Sequence, residues 1–458
     1  MENSELDNTK GQLPIQSPRG TKDVLPTDAA SWHTIERAVA AVAEAFGYQE
    51  IRTPMFEVSR LFKRSVGEET DIVSKEMYLF ADKGGEEFAL RPELTAPVVR
   101  AAIEHALITG QSDCSRLYYN SAPSFRYEKP QLGRFRQFHQ FGTELLGPSS
   151  PLADAETISF AISVYRKLGL GNFRVRLNSL ASLAARSEWK AALVPYLRQH
   201  VATMSKDSQR RTETNPMRVL DSKAPEDQDI IRNAPIILDY LGTEDKEHFE
   251  SLQSALRAIG IEFIVDPLLV RGFDYYTRTV FEVTSSDLGS QDALCGGGRY
   301  DNLVEQLGGP PTPAVGFGAG VERLLIVLEK LHGESMGQKS PVEVYIVAQS
   351  ISARSKAFEI ANTLRVAGTK SICDLNDRSM KAQMRDANRV GARFVYIIGE
   401  SELAEGAGLL KEMQTGEQQK VPFSQIVSGL SQRVSGTYNS GNRIADDAGC
   451  PSFLIPNF

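Results

Sequence analysis

Several familiar site signatures are missing from this 458-residue sequence. Its four cysteines, Cys114, Cys295, Cys373 and Cys450, lie far apart and form no Cys-x-x-Cys, so neither a zinc ribbon nor a thioredoxin-type pair is indicated. The sequence also has no His-Glu-x-x-His and no G-x-x-x-x-G-K-[ST] loop. If the protein uses ATP, it must therefore bind the nucleotide in another way.

Long apolar segments are absent as well. No apolar run approaches the roughly 20 residues that a membrane-spanning helix needs, and the polar, acidic first residues are not typical of a secretory signal. We therefore predict a cytoplasmic protein without a membrane partner. The net charge of -7 argues against a general polyanion binder, because non-specific nucleic-acid affinity comes from neutralising phosphates. A local basic patch remains compatible with that charge.

The length predicts two or three domains, and 41% hydrophobic with 24% charged residues is ordinary globular composition. Changes in composition and periodicity divide the chain into four predicted parts. These are a disordered tail at 1–16, a large domain at 17–335 with a helical insertion at about 181–260, a small α/β domain at 340–430, and a poorly ordered tail at 431–458.

The most informative segment is FRYEKPQLGRFRQFHQFGTE, residues 125–144. Proline, glutamine and glycine at 130–133 predict a turn between two extended arms. Because side chains alternate along a strand, one face of this hairpin collects a set of polar and small residues. That face carries Arg126 and Glu128 on the first arm and Gln140, Gly142 and Glu144 on the second, with Gly142 leaving room for a ligand.

Such a face has two readings. Arginine forks bind phosphate oxygens in pairs, and a buried Gln and Glu can orient an amine or an imidazole. An ordinary amphipathic hairpin with a solvated charged face fits the same spacing, and the spacing alone leaves both open. His139 points to the opposite face, so we predict a structural role for it.

Several motifs, taken in their order along the chain, resemble those of a known family. Residues 125–144 resemble motif 2 of the class II aminoacyl-tRNA synthetases, FGYQEIRTP at 46–54 resembles motif 1, and AVGFGAGVERL at 314–324 resembles motif 3. Two further segments, LVRGFDYYTRTVFE at 269–282 and GGGRYDNL at 296–303, resemble the two signatures of the histidyl-tRNA synthetase family. The resemblance extends from about residue 19 to about residue 427.

The resemblance implies an α+β fold. It predicts a class II catalytic core on an antiparallel sheet with a helical insertion near the tRNA acceptor arm, followed by a small α/β anticodon-binding domain. A basic stretch in that second domain suits a phosphate-facing surface, although an exposed helix face explains it equally. Its members are Arg378, Lys381, Arg385, Arg389 and Arg393.

The implied activity is that of a histidine–tRNA ligase. Histidine and ATP would give histidyl-adenylate and pyrophosphate, and histidine would then pass to the 3′ end of tRNA(His) with release of AMP. Mg²⁺ would bridge the ATP phosphates without a metal site of the protein's own, and the chain would form a homodimer. The alternative is a non-catalytic paralogue that acts as a regulatory subunit of ATP phosphoribosyltransferase or as a tRNA sensor.

The resemblance also assigns residues. Arg126 and Arg271 correspond to the catalytic arginines near the ATP α-phosphate, and the remaining predicted ATP ligands are Glu128, Arg134 and Arg323. The predicted histidine ligands are Glu93, Thr95, Gln140, Glu144, Tyr275, Tyr276 and Tyr300. Leu94 stands where the commoner bacterial pattern has glycine. Gly296, Gly297 and Gly298 are expected to let the backbone approach a ligand closely.

Overall fold

The computed structural model describes residues 15–67, 70–108, 114–288, 293–333 and 342–430. The chain divides into two compact units, 1–338 and 339–458. Three segments lie wholly or mostly outside the described residues. They are the predicted N-terminal tail, the linker before the second unit and the predicted C-terminal tail.

The first unit is built on a large mixed sheet. Its described strands are β1 (Gln49–Glu50), β2 (Phe56–Val58), β3 (Leu79–Ala81), β4 (Glu87–Leu90), β5 (Ser115–Phe125), β6 (Gln137–Leu146), β7 (Arg174–Ser179), β8 (Phe263–Val265), β9 (Thr277–Thr284), β10 (Ala293–Arg299) and β11 (Ala314–Gly320). Eight of them form the order β1-β5-β6-β11-β10-β9-β7-β8, antiparallel except for the two edge pairs β1–β5 and β7–β8. Strands β2, β4 and β3 form a separate small antiparallel sheet.

The α-helices of this unit are α1 (Ala29–Phe46), α2 (Ser59–Val66), α3 (Thr95–Glu104), α4 (Pro151–Lys167), α5 (Leu183–His200), α6 (Lys206–Thr214), α7 (Gln228–Arg232), α8 (Thr243–Ala258), α9 (Leu303–Gln306) and α10 (Val321–His332). Helix α1 ends at Gly47, whose φ of 72° is a left-handed conformation that glycine adopts readily at the end of a helix. No described helix combines the length and apolarity needed to cross a bilayer.

Odd- and even-numbered residues of the central strands point to opposite faces of the sheet, and the two faces have different roles. Phe141, Phe281 and Phe317 point to one face and are buried together with residues of α1, α4, α8 and α10. Their even-numbered neighbours on the same strands point to the other face, which is left for the site. Between β7 and β8, helices α5 and α7 contribute to a second apolar cluster around Trp189, whereas α8 packs into the first cluster.

The second unit is a small α/β layer. Its elements are β12 (Val344–Ala348), α11 (Ile351–Val366), β13 (Ser371–Cys373), α12 (Met380–Arg389), β14 (Phe394–Ile398), α13 (Glu400–Glu405), β15 (Ala407–Glu412) and β16 (Gln418–Pro422). The sheet order is β13-β12-β14-β15-β16, parallel over the first three strands and antiparallel over the last three. The predicted α/β class is thus confirmed.

The basic stretch of this unit is partly neutralised from within. Arg378 forms ion pairs with Asp374 and Asp386, and Arg389 pairs with the same Asp386. Lys381 and Arg385, both on α12, are exposed. The surface that could meet phosphates is therefore narrower than the five basic residues in the sequence indicate.

Candidate active site

A row of directly paired residues crosses the large sheet on the face turned away from the aromatic core. It runs through Arg176 on β7, Glu282 on β9, Gly296 on β10, Gly318 on β11, Gly142 on β6 and Tyr119 on β5. The three central members are glycines, so the middle of this floor has no side chains. Larger side chains stand at both ends of the row.

The glycines make room chiefly for the protein's own groups. A Cβ on Gly296 would lie 2.1 Å from a guanidinium nitrogen of Arg271, and one on Gly142 would lie 2.5 Å from the Tyr119 hydroxyl. The expectation that Gly142 leaves space for a ligand is therefore wrong in detail. Its missing side chain admits the ring of Tyr119, whose hydroxyl donates to the carbonyl of Phe317 at 3.0 Å.

A cavity of about 940 Å³ lies over this floor. It is walled by the motif 2 hairpin, by the loop before α3, by the loop between β8 and β9, and by residues 210–231 of the helical insertion. The predicted site residues that line it are Glu93, Thr95, Arg126, Glu128, Arg134, Gln140, Arg271, Tyr275, Tyr276 and Arg323. These residues come from four separate stretches of sequence, 93–95, 126–140, 271–276 and 323, and converge on one space.

Arg126 is held between two aromatic rings at one side of the cavity. Its guanidinium carbon lies 5.1 Å from the ring centre of Phe138 and 5.8 Å from that of Phe273, within the range of cation–π attraction. Its Nε donates to the carbonyl of Pro92 at 2.8 Å. With one nitrogen anchored and the plane fixed by the rings, the terminal nitrogens are oriented for an anion.

Arg323 and Arg134 add positive charge at the motif 2 turn. Arg323 lies in the first turn of α10 and donates to the carbonyl of Ala293 at 2.9 Å and to that of Gly133 at 3.3 Å. Burial and the nearby charge of Arg134 lower the pKa of Arg323. Gly133 has a φ of 70°, which the turn requires and which glycine adopts without strain. An anion between the two arginines would relieve their repulsion.

Arg271 reaches the cavity from the loop before β9. Its Nη1 donates to Glu282 Oε2 at 3.1 Å, and its Nε is buried and has no hydrogen-bond partner among the described residues. Burial by itself would lower the pKa of Arg271, but Tyr276 and Glu282 outweigh that effect and the pKa is raised. The group therefore stays charged and retains donor capacity, as a phosphate ligand needs.

The loop before α3 holds two predicted histidine ligands. Glu93 is buried and accepts hydrogen bonds from the backbone N–H groups of Thr95 at 2.7 Å and Ala96 at 2.9 Å, so it also caps the helix. Burial raises the pKa of Glu93, although these N–H groups and Arg126 oppose the shift. Leu94 has an ordinary φ of -113° and is 2% exposed. The backbone there does not need glycine, and the leucine contributes to the core.

Glu144 and Tyr300 do not line the cavity; they lie one layer behind its wall. The Tyr300 hydroxyl donates to Glu144 Oε2, and the Thr95 hydroxyl donates to Oε1 at 2.8 Å. Burial raises the pKa of Glu144 to about 8, although both hydroxyl donors oppose it. Thr95 lines the cavity and joins this buried group to the cavity surface.

Tyr275 and Tyr276 form an aromatic wall together with Phe273. The rings of Phe273 and Tyr275 stack with centres 5.1 Å apart, and Tyr275 meets Tyr300 edge-on at 5.6 Å. Both tyrosines are 4% exposed. Burial raises the pKa of the Tyr276 hydroxyl, so it stays protonated and can donate a hydrogen bond at neutral pH.

His139 lies outside the cavity, as predicted. Its Nδ1 is 2.8 Å from Glu322 Oε1, and its ring meets Trp32 edge-on at 4.9 Å. Sequence reasoning missed Tyr119, Phe273, Glu282 and Arg176, which all touch predicted site residues or line the cavity. Phe273 and Glu282 fall inside the first family signature, so a signal was present there. Tyr119 and Arg176 are recognisable only from strand pairing.

Comparison with known proteins agrees with this geometry. Residues 20–324 match the family model for histidyl-tRNA synthetase, and residues 343–433 match a model for an anticodon-binding domain. The chain belongs to the histidyl-tRNA synthetase family. It is 45% identical over 424 residues to the histidine–tRNA ligase of Geobacillus kaustophilus, covering 92% of this chain and 99% of that protein. The ligase of Chloroherpeton thalassium is 48% identical over 426 residues, with the same coverage.

Solved structures give the same family. Apo histidyl-tRNA synthetase from S. aureus superposes with a TM-score of 0.77 at 36% identity, covering 91% of this chain and 100% of that one. A structure titled as an ATP phosphoribosyltransferase regulatory subunit/histidyl-tRNA synthetase, from Bacillus halodurans, gives 0.61 at 23% identity over 85% of this chain and 99% of that one. The second match supports the fold alone. Nothing in these comparisons favours the regulatory alternative.

Membership of the histidyl-tRNA synthetase family fits the ligand-binding capacity of the cavity. The cavity has arginines for a nucleotide triphosphate and buried acceptors for an amino acid. Among the described residues, no group of three or more His, Cys, Asp or Glu side chains is arranged to hold a metal ion. The chemistry derived from the protein's own side chains is therefore positioning and charge stabilisation.

Proposed function

We propose that this protein is a histidine–tRNA ligase, which forms histidyl-adenylate from L-histidine and ATP and then transfers histidine to the 3′ end of tRNA(His). One observation carries the proposal. A single cavity holds three arginines suited to a triphosphate, Arg126, Arg271 and Arg323, beside the buried Glu93 and the half-buried Gln140.

In the first step the histidine carboxylate attacks the ATP α-phosphorus, and pyrophosphate leaves. Negative charge builds on the non-bridging oxygens, where Arg126 and Arg271 act as the catalytic arginines. Both groups are fixed before the substrate arrives, Arg126 by two rings and Arg271 by Glu282. Preorganised cations in a buried site lower the barrier because they need little rearrangement during the reaction. Arg134 and Arg323, with Glu128 bonded to Arg134, would hold the β- and γ-phosphates.

The histidine substrate would occupy the part of the cavity near α3. Glu93, Thr95 and Gln140 offer acceptors for its ammonium group, and Tyr275 and Tyr276 would enclose the ring. Glu144 Oε1 already accepts the Thr95 hydroxyl, but a carboxylate oxygen has a second lone pair for an imidazole N–H. A substrate side chain without such a donor would leave the second lone pair of that buried oxygen unsatisfied, which disfavours other amino acids.

The tRNA would be bound by two parts of the chain. The anticodon-binding family model covers 343–433, and we assign this role to the unit at 340–430. Within the catalytic unit at 17–335, the helical insertion lines the same cavity with basic side chains that suit the phosphates of the tRNA acceptor end. They are Arg210, Arg211, Arg218 and Lys223.

Mg²⁺ would accompany ATP and offset the negative charge of its phosphates. Glu76 and Glu128 both line the cavity near the motif 2 arginines. Burial and the charge of Glu128 raise the pKa of Glu76, so a cation between the two carboxylates would be favourable. We also place the enzyme in the cytoplasm, where translation occurs.

A homodimer is the proposed assembly. The small sheet and the residue before it expose a cluster of large apolar side chains directly after the motif 1 segment. The cluster, called the apolar face below, consists of Met55 at 54%, Phe56 at 51%, Leu79 at 47% and Phe80 at 42% exposure. The rings of Phe56 and Phe80 lie 6.0 Å apart, and exposed apolar side chains that meet in this way are typical of an interface. A second copy of the chain is the proposed occupant.

The decisive test is histidine-dependent pyrophosphate–ATP exchange by the purified chain without tRNA, against a panel of amino acids. We expect exchange with histidine alone, and we expect Arg271→Ala to lower its rate about a hundredfold or more, since one preorganised cation is removed. Wild-type turnover in that variant would contradict the role of Arg271. Histidine binding without exchange in the wild type would instead favour a regulatory or sensor paralogue.

A further inference from the structure

Four charged side chains form a continuous chain along one wall of the cavity. Arg271 Nη1 donates to Glu282 Oε2 at 3.1 Å, and Arg176 Nη1 donates to Glu282 Oε1 at 3.0 Å. Arg176 Nε donates in turn to Asp266 Oδ2 at 2.7 Å. All four residues line the cavity. Glu282 therefore divides its two oxygens between the catalytic arginine and a second arginine.

Strand pairing fixes the two inner members of this chain. Glu282 on β9 pairs directly with Arg176 on β7 and with Gly296 on β10. Arg271 lies in a loop, so its backbone gives the long side chain little restraint. Its guanidinium rests over Gly296, where a Cβ would lie 2.1 Å away, and is held from the side by Glu282. The orientation of Arg271 thus depends on a sheet residue, Glu282, in addition to Tyr276 at the end of its own loop, whose ring centre lies 6.0 Å from the guanidinium carbon.

The charges along the wall balance. Two arginines and two carboxylates sum to zero, so before ATP binds the wall carries no excess of positive charge. A lone carboxylate beside the phosphates would repel ATP by Coulomb interaction, which is strong in a partly buried site. Arg176 offsets that repulsion at Glu282, and Asp266 in turn holds Arg176 in place.

We propose that Glu282 is a positioning residue that orients Arg271 for the α-phosphate, and that Arg176 neutralises the carboxylate so that ATP binding tolerates it. The proposal rests on the role of Arg271 in adenylation given above. It assigns Glu282 no contact with substrate. It predicts that changes at Glu282 lower kcat for pyrophosphate exchange without raising the KM for ATP.

The first variant is Glu282→Gln, which keeps the shape but replaces one oxygen by an NH₂ donor facing an arginine donor. Arg271 loses its fixed orientation, and the cavity loses a negative charge. We expect kcat for pyrophosphate exchange to fall about ten- to a hundredfold, as misplacement of a catalytic group does. We expect the KM for ATP to stay equal or to fall by on the order of threefold, since repulsion of the phosphates is removed.

The second variant is the double change Arg176→Gln with Glu282→Gln, which restores the charge balance without restoring the bond to Arg271. We expect its KM for ATP to return towards the wild-type value while kcat stays as low as in Glu282→Gln. The matched control is Glu156→Gln, which breaks the partly exposed ion pair with Arg116 away from the cavity. Its kinetics should equal those of the wild type.

Three outcomes would overturn the proposal. They are wild-type kcat in Glu282→Gln, recovery of kcat in the double variant, and a fall in kcat accompanied by a raised KM and a lower melting temperature. Arg271→Ala in the same assay separates the two levels of inference. If it loses activity while Glu282→Gln does not, only the positioning proposal fails. If the wild type shows no histidine-dependent exchange, the proposed function fails and the positioning proposal fails with it.

Discussion

The hydroxyl of Thr95 donates a hydrogen bond to Glu144 Oε1 across 2.8 Å, joining the first residue of α3 to strand β6. Tyr300 donates to the other oxygen from just beyond the end of β10. Three elements distant in sequence thus meet at one buried carboxyl group. Even with two donors, burial raises its pKa to about 8, so most of the population is protonated at neutral pH.

That pKa predicts a pH-dependent stability. In the unfolded chain this carboxyl ionises near its ordinary pKa of 4.5, whereas in the folded protein burial raises its pKa to about 8. Between these values the folded state binds one more proton, so its free energy of unfolding falls as pH rises, by up to about 1.4 kcal/mol per pH unit. Glu144→Gln cannot ionise and escapes this loss. Its stability relative to the wild type should therefore increase from pH 5 to pH 8.

Urea unfolding followed by tryptophan fluorescence measures this effect. The chain has two tryptophans, Trp32 and Trp189, and both lie in the first unit, so the signal reports the unit that contains Glu144. The control is Glu156→Gln, whose carboxylate forms a partly exposed ion pair. A stability difference between Glu144→Gln and wild type that does not change with pH would contradict the buried, protonated carboxyl.

Gly296→Ala tests the floor of the cavity. The new methyl group would lie 2.1 Å from a guanidinium nitrogen of Arg271, so that side chain must move. We expect histidine-dependent exchange to fall about a hundredfold, as misplacement of a catalytic group does, while the melting temperature changes little. Gly171→Ala is the control, since nothing lies within 4 Å of its added Cβ. Full activity in Gly296→Ala would show that the placement of Arg271 over Gly296 is unimportant.

Asp154→Asn tests a buried charge network behind the second family signature. Asp154 accepts from Arg299 Nε at 3.0 Å and from Thr279 at 2.9 Å, and lies 2.5 Å from His248 Nε2. Asp154 and Arg299 are both fully buried. Removing the Asp154 charge takes from the buried Arg299 one of its two carboxylate partners, the other being Asp301, so we expect a loss of about 3 kcal/mol in urea unfolding. Asp229→Asn, at an exposed pair with Arg232, should change stability by less than about 1 kcal/mol.

The apolar face predicts the oligomeric state. Phe56→Asp places a charge among Phe80 and Phe88, whose ring centres lie 6.0 and 5.7 Å from that of Phe56. Burying a carboxylate in an interface carries a large desolvation penalty. We therefore expect sedimentation at micromolar concentration to show a monomer for the variant and a dimer for the wild type. Leu183→Asp, at an equally exposed leucine on α5, should leave the dimer intact. A monomeric wild type would sink the proposed assembly.

Local sequence patterns correctly predicted features that are set by residues adjacent in the chain, such as the direction of a strand side chain and the end of a helix. Alternation along the motif 2 hairpin placed Gln140 and Glu144 on one face and His139 on the other, as observed. The glycine after Phe46 marked the end of α1. These succeeded because side-chain direction in a strand and the φ of a helix cap are set within a few residues.

The alternation of side chains does not show how deeply a residue is buried. Glu144 has the parity of a cavity residue but sits behind the wall, because Thr95 and Tyr300 from other elements cover it. Arg378 belongs to the basic stretch that the sequence associates with phosphate binding, yet its guanidinium forms ion pairs with Asp374 and Asp386. For Glu144 the deciding partners come from other elements, and burial is a property of the assembled fold. For Arg378 they lie four and eight residues away along the chain, and the contacts depend on how the segment around the loop between β13 and α12 folds.

The sequence by itself determined the order of the motifs, the alternation of faces and the identity of the chemical groups, and through them the family and the fold class. Only the tertiary structure decided the row from Arg176 through Glu282 and Gly296, and with it the partner that holds Arg271. The physical reason is strand register. A shift of one residue reverses every side chain of a strand, and the pairing that fixes it is made between segments about a hundred residues apart.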